Sequence, residues 1–279
     1  MITQRRMNLV FAGAGIGYRR QYRDELLSET NDPKPSVLEV IPGHFFSNPE
    51  ALAPLAGRYK LVFHEINLSP GTKGQQDKMI LDRVRDLMRF GRPILFTDHL
   101  ALTRSPDGLD IGHLAPVWFT HEILNIVAER VCRWQDLLGV PVALENIAMP
   151  FGIPNSEMTE TEFFFELTER TGCGMLLDVT NLLMNSRNFG YDPFERIIEY
   201  PLHRVQQVHL AGGKAISGWW TDSHSESLER KSYELLDRLR GKAPLLTAIV
   251  ERDANLPELT ELVFEARRVE KIWKDGLTE

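Results

Sequence analysis

The sequence is poor in several features that would define whole classes of protein. Only two cysteines, Cys132 and Cys173, occur in 279 residues. That is too few for a disulfide framework and points to a reducing compartment. The longest apolar stretches, such as 60–63 and 244–250, fall well short of the ~20 residues of a membrane helix, so no span is predicted. Residues 1–6 carry two arginines but lead into Phe11-Ala12-Gly13-Ala14-Gly15 rather than a long apolar run with a cleavage site, and a cytoplasmic location is the expectation. Basic residues are not in excess: 32 against 39 acidic ones leave a net charge of −7, which argues against a nucleic-acid coat. No Pro/Gly/Ser-rich linker and no shift in composition divides the chain, so 1–279 reads as one domain.

What is present is an alternation of short apolar, β-branched runs with longer amphipathic ones. It predicts strands over 7–12, 36–41, 60–66, 92–97, 140–144, 174–179, 204–210 and 245–250, each followed by a helical segment. Between the fourth and fifth strands Val117, Leu124, Val127, Val131, Trp134 and Leu138 recur at helical steps, leaving Glu122, Glu129, Arg130 and Arg133 outward. The segment 76–90 repeats this with Ile80, Val84, Leu87 and Met88, and 257–273 opens with a proline at a first-turn position. Eight βα units predict a closed (β/α)₈ TIM barrel, with a doubly wound sheet as the alternative.

In such a barrel the active site lies at the C-terminal ends of the strands. There the sequence places Glu39, His64, Asp98-His99, Glu145-Asn146, Asp178, His209 and Glu251, with Asp222-Ser223-His224 in the loop after the seventh strand. One polar residue at a strand end means little, since strand ends meet water. So many charges around one mouth need balancing cations, because burial penalises unpaired charge. Imidazole from His64, His99, His209 and His224, with carboxylate from Glu145, Asp178, Asp222 and Glu251, suits iron, zinc or manganese better than calcium or magnesium. Eight ligands fit two or three ions, with Glu145, central in strand order, as the bridge.

Other features take plainer readings. His113 and His121 flank a helix start and His203 precedes the seventh strand, so surface or capping roles are expected. Cys173 precedes the sixth strand and Cys132 lies within a helix, neither a promising nucleophile. Gly13-Ala14-Gly15-Ile16-Gly17 has the wrong spacing for a dinucleotide fingerprint and reads as a turn at the top of the first strand.

Read together, Gly15-Ile16-Gly17-Tyr18-Arg19, Leu38-Glu39-Val40-Ile41-Pro42, Thr97-Asp98-His99-Leu100, Ala143-Leu144-Glu145-Asn146, Leu177-Asp178-Val179-Thr180-Asn181, Val208-His209-Leu210-Ala211-Gly212, Thr221-Asp222-Ser223-His224-Ser225 and Val250-Glu251-Arg252-Asp253-Ala254-Asn255 resemble the multinuclear non-heme iron-dependent oxidative enzymes (MNIO). Those enzymes modify peptides and are similar in turn to the xylose isomerase and endonuclease IV superfamily. The resemblance implies one metal on His64, His99 and Glu145, a second on Glu145, Asp178, His209 and Glu251, and a third on Asp222, His224 and Asn181. It implies two to three iron ions of mixed valence, dioxygen as co-substrate, and oxidative modification of a Cys, Asp or Asn in a ribosomally made precursor peptide. It also implies a separate leader-binding partner protein, forming a heterodimer. Within that reading Glu39, Asp98, Asn146, Arg252 and Asp253 orient ligands or substrate, and Trp219 and Trp220, in the loop 212–223, either cover a bound peptide or pack that loop onto the barrel rim.

Two positions depart from the family pattern. Gly43-His44 stand where many members have Glu-Asn, and Gly213 replaces a second histidine after His-Leu-Ala-Gly, so the third metal site or a substrate contact is either lost or given an imidazole from another direction by His44. The rival functions are a metal-dependent phosphodiesterase of the endonuclease IV kind, a sugar isomerase, and a metal-binding scaffold without activity. The acidic charge weighs against a DNA substrate.

Overall fold

The computed structural model describes residues 10–30, 32–74 and 78–277, with only the backbone placement of Asp222. In chain order the strands are β1 (Gly13–Gly17), β2 (Val37–Val40), β3 (Lys60–Glu65), β4 (Leu95–His99), β5 (Ala101–Arg104), β6 (Asp110–Pro116), β7 (Val142–Glu145), β8 (Gly174–Asp178), β9 (Val205–Leu210), β10 (Gly212–Ile216), β11 (Trp219–Glu226) and β12 (Thr247–Val250). Eight of them close a parallel barrel in the order β1-β12-β9-β8-β7-β4-β3-β2. The seam is the pairing of β1 with β12, Gly13 opposite Thr247 through Ile16 opposite Val250, which excludes the open doubly wound sheet.

Helices cover the outside: α1 (Arg23–Leu27) after β1, α2 (Ala53–Ala56) after β2, α3 (Lys78–Gly91) after β3, α4 (His121–Leu138) after β6, α5 (Glu160–Thr171) after β7, α6 (Val179–Phe189) and α7 (Pro193–Arg196) after β8, α8 (Arg230–Leu239) after β11 and α9 (Leu259–Asp275) after β12. Ile80, Val84 and Leu87 of α3 and Leu124, Val127, Val131, Trp134 and Leu138 of α4 are buried, as their spacing predicts. Arg130 is not outward. It is buried because its guanidinium donates to the carbonyls of Ser69 (3.0 Å), Pro70 (2.9 Å) and Gly74 (2.8 Å), holding the loop after β3. Val117 and Pro257 lie before their helices, and Gln76 lies outside the described residues. No helix among the described residues is long and apolar enough to cross a membrane.

The first strand is a correction. Residues 7–9 lie outside the described residues, 10–12 precede the strand, and β1 is the glycine run itself. Glycine usually weakens a strand, but it allows unusually close backbone approach. A Cβ at Gly15 would stand 2.1 Å from the carbonyl oxygen of Val37 on β2. Gly15→Ala is therefore expected to force β1 from β2 and destabilise the protein by ~3 kcal/mol, at the upper end of overpacking costs. A denaturation midpoint within error of wild type would refute this.

Two hairpins, β5–β6 and β10–β11, were not anticipated; each forms a two-stranded antiparallel sheet. They follow β4 and β9 at the C-terminal rim, the end where the polar residues gather.

Candidate metal centre

The barrel interior is layered by the two-residue period of its strands. Val37, Val62, Leu95, Ala143, Leu176 and Ile249 form one buried apolar cluster. Two residues further along the same strands stand Glu39, His64, Thr97, Glu145, Asp178 and Glu251, and His209 follows Gln207 by the same step. All are buried. The polar ring is thus the next inward layer above a dry plug, and the alternation that builds the core also aims these side chains at one another.

Several of the ring's side chains are held from behind. His64 Nδ1 lies 2.8 Å from Thr97 Oγ1, whose hydroxyl is 3.5 Å from the carbonyl of Phe63. If that hydroxyl donates to the carbonyl, it accepts from Nδ1–H and leaves the Nε2 lone pair facing inward. His209 Nε2 lies 3.0 Å from Glu39 Oε2, and Gln207 also donates to that carboxylate oxygen, so Nδ1 is the atom turned inward. His224 Nδ1 meets Asp253 Oδ2 at 2.9 Å, and Asp253 pairs in turn with Arg19. Asp178 caps α6, its Oδ1 accepting from Asn181 N at 2.8 Å. Asn146 exchanges two bonds with the Asp178 backbone, 3.0 and 2.8 Å. A hydroxyl behind His64 and carboxylates behind His209 and His224 orient these rings, the arrangement found around metal-ligating histidines, whereas His99 Nδ1 stands 4.0 Å from Asp98 Oδ1 without a hydrogen bond.

Glu145 stands at the centre. Its Oε2 is 3.4 Å from His64 Nε2 and 3.3 Å from His99 Nε2, while Oε1 is 3.3 Å from His209 Nδ1. Glu251 Oε2 is 3.0 Å from His209 Nδ1 and 3.6 Å from His224 Nε2. Four sets of donor atoms gather within 4.8 Å: Glu39, His64, His209; His64, His99, Glu145; Glu145, Asp178, His209; and Asp178, His224, Glu251. Donors ~2.1 Å from a shared ion lie ~3.0–3.4 Å apart, the spacing seen around Glu145. Glu145 Oε2, His209 Nδ1 and Asn181 Oδ1 are buried without a hydrogen-bond partner, which is costly in a protein unless something else satisfies them. The donor set fits metal ions.

Electrostatics agree. Burial would raise the Glu145 carboxyl, but His99, His209 and His64 outweigh it and bring it down to about 2. Burial would lower His209, but Glu251, Glu39 and Glu145 outweigh it and hold that imidazole well above its ordinary value. In His99 burial wins over Glu145, and the pKa falls to about 4.

Above the ring opens a cavity of about 560 Å³, whose wall includes Gly17, Arg19, Asn67, His113, Glu251 and Asp253. Against this geometry, residues 13–274 match the family described as "RiPP precursor modification enzyme MbnB/TglH/ChrH", RiPP denoting ribosomally made, modified peptides. The chain belongs to this family.

Relatives of the chain include a UPF0276 protein of Caulobacter vibrioides, 31% identical over 95% of this chain and 96% of its own, and one of Streptomyces avermitilis, 34% identical over 93% of this chain. The chain spans 54% of the Streptomyces protein's length. Among solved structures, an L-ribulose 3-epimerase (TM-score 0.60, 14% identity, 95% of this chain and 96% of that one) and endonuclease IV from Thermus thermophilus (0.56, 16%, 95% and 99%) share the barrel fold.

Family membership makes this an enzyme, and the structure brings together His64, His99, Glu145, Asp178, Asn181, His209, His224 and Glu251, with Glu39, Asn146 and Asp253 against them. Asp222 lies in β11, its side chain outside the described residues. Asp98 does not reach the cavity: buried beside Glu65, it accepts from the amides of His99 (2.7 Å) and Leu68 (3.2 Å), and burial and Glu65 push its carboxyl well up. Arg252 turns away toward Glu265 on α9, 3.3 Å off.

The cavity wall is built without His44, Trp219 or Trp220. His44 is exposed on the 3-10 turn Pro42–Phe45, Trp219 is half exposed, and the Trp220 ring lies under the Arg187 guanidinium at 4.1 Å. At Gly213 a Cβ would meet Met184 Sδ at 2.6 Å and the Thr221 carbonyl oxygen at 2.9 Å, so this backbone is packed too closely for a side chain. His113 is exposed, as expected, but it stands on β6 rather than at a helix start, and there it lines the cavity with Asp110. Pro106-Asp107-Gly108 is the turn signal that marks its hairpin. Cys173 is buried, its thiol pushed up to about 11 by burial, and Cys132 is exposed on α4.

Proposed function

We propose that this enzyme oxidatively modifies a Cys, Asp or Asn side chain of a ribosomally made precursor peptide in the cytoplasm, using two to three iron ions and dioxygen. The observation that carries the reading is Glu145, whose two oxygens face separate imidazole groups from the centre of a buried polar ring. His64, His99 and Glu145 would hold one ion, and Glu145, Asp178 and His209 with Glu251 a second. A third would rest on His224, Glu251 and Asp178 with Asn181, joined by Asp222 in the family resemblance. Bound iron supplies Lewis acidity toward a substrate heteroatom and electrons for dioxygen.

The chain's own residues do the positioning. Glu39 and Thr97 fix the imidazoles of His209 and His64, and the Arg19–Asp253 pair holds His224 at the cavity edge. The hairpin residues Thr103, His113 and Leu114 wall the space above, limiting water around a bound side chain. We assign leader capture to a separate partner protein, and treat 1–279 as one domain.

Protein purified without oxygen is expected to contain two to three metal equivalents, mainly iron. Zinc alone, with activity surviving iron removal, would refute the oxidative reading.

Protonation orders the loss of these metals. His209 keeps a proton well above its ordinary pKa, so a metal on its Nδ1 must displace that proton at pH 7. Affinity there is expected to fall about tenfold for each pH unit below that pKa. His99 stays neutral down to about 4, so it does not compete with protons until far lower pH. Dialysis against decreasing pH should strip the His209 metal first and leave the metal on His99 until last. Simultaneous loss would contradict the assignment.

A further inference from the structure

On α6, Asn181, Asn185 and Asn188 fall at i, i+4 and i+7, one face of a helix. Each side-chain amide bonds backbone rather than another side chain. Asn181 Nδ2 donates to the carbonyl of Asn146 (3.0 Å). Asn185 donates to the carbonyl of Ile147 (2.9 Å) and accepts from the amide of Met149 (2.6 Å). Asn188 donates to the carbonyls of Met149 (3.3 Å) and Trp220 (2.9 Å) and accepts from the Trp220 amide (2.9 Å). The three amides act as a strand edge would, offering donors and acceptors in register to the segment that leaves Glu145 and then to β11.

The two segments so held carry Glu145 and His224. β11 is further fixed by Arg187, which covers the Trp220 ring at 4.1 Å and reaches both carboxylate oxygens of Glu229 (2.7 and 2.6 Å). His224 itself has φ 44, a left-handed conformation that a histidine keeps only where its surroundings over-determine it. The same helix begins at Asp178, whose carboxylate caps its first turn. One rigid element therefore spans the candidate ligand Asp178 and the staple on β11.

We infer that Asn185 and Asn188 are positioning residues for the metal centre: Asn188 sets His224 through β11, and Asn185 sets the segment after Glu145. This rests on the metal reading above, and neither residue touches the polar ring in its proposed role. Partners bonded directly to a metal ligand are worth about 10–100-fold in affinity, and Asn188 and Asn185 act one step further out, through backbone, so a loss of up to that order is expected.

The test uses Asn188→Ala, Asn188→Asp and Asn185→Leu in the full chain, each checked for wild-type far-UV circular dichroism. Metal content after dialysis and amide hydrogen exchange are then measured. Asn188→Ala is expected to hold one metal equivalent fewer than wild type, with faster exchange confined to 219–226. Asn188→Asp, equal in size but without the amide donor, should behave the same way. Asn185→Leu should instead quicken exchange over 147–149. Wild-type metal content in both Asn188 variants, or retention by Asn188→Asp alone, would overturn the inference. If wild type itself carries no metal, the metal reading fails, and exchange alone decides the staple: unchanged exchange at 219–226 in Asn188→Ala overturns it.

Discussion

Alanine at Glu145 is expected to leave a folded barrel that has lost turnover and at least one metal equivalent. Among the described residues its carboxylate is the only group placed against His64, His99 and His209 together, at 3.3–3.4 Å from each. Removing an orienting partner costs ~10–100-fold, and a shared ligand should cost more, so activity should fall beyond ~10²-fold. The fold should survive because Val37, Val62, Leu95, Ala143, Leu176 and Ile249 pack below the ring without it. Glu145→Gln keeps the volume and separates loss of charge from loss of packing. Full metal and turnover in either variant would remove Glu145 from the bridging position. Total metal analysis and circular dichroism on the same preparation read both consequences.

The second large effect concerns the precursor peptide. At about 560 Å³ the cavity lies within the ~300–1,000 Å³ of small-molecule pockets, so it takes a reacting side chain and its neighbours rather than a leader. A leader held by a separate protein docked on the barrel makes capture of that side chain nearly intramolecular, worth ~10²–10⁴ in apparent affinity. Turnover of the whole precursor should therefore rise by that order when the leader-binding protein is added at sub-saturating peptide. A leaderless core peptide should remain slow in either case. Equal rates in all three conditions would put recognition wholly in the barrel mouth, with His113 and Asp110 on β6 the first residues to examine.

The polar ring was legible in the sequence because a strand buries every second residue. His64, Glu145, Asp178 and Glu251 each stand one step of two beyond an apolar inward residue, so a hydrophobic run ending on a charged residue already carries the geometry. Gln207 was passed over by the same logic, since a polar residue within β9 looks outward until its register with the ring is known. It is fully buried. The hairpins were hidden for a different reason: they belong to no βα unit, and their strands lie on the rim with little apolar alternation to mark them. Ser217-Gly218 and Pro106-Asp107-Gly108 were the available signals. Arg130 escaped because helical periodicity says which face a residue occupies, not whether a neighbouring loop offers its carbonyls.

The glycines of β1 leave a mark on the site itself. Seven barrel strands carry side chains at or below the level of the ring, whereas β1, between Glu251 of β12 and Glu39 of β2, brings Gly17 to the cavity. The ring is therefore shaped like a letter C, with its gap between two acidic groups. Arg19 spans the gap, close enough that a Cβ on Gly17 would lie 3.0 Å from its Nη1. Arg19 is itself paired with Asp253, so on this side the ring is bounded by bare backbone and a compensated cation rather than by a further ligand-type side chain.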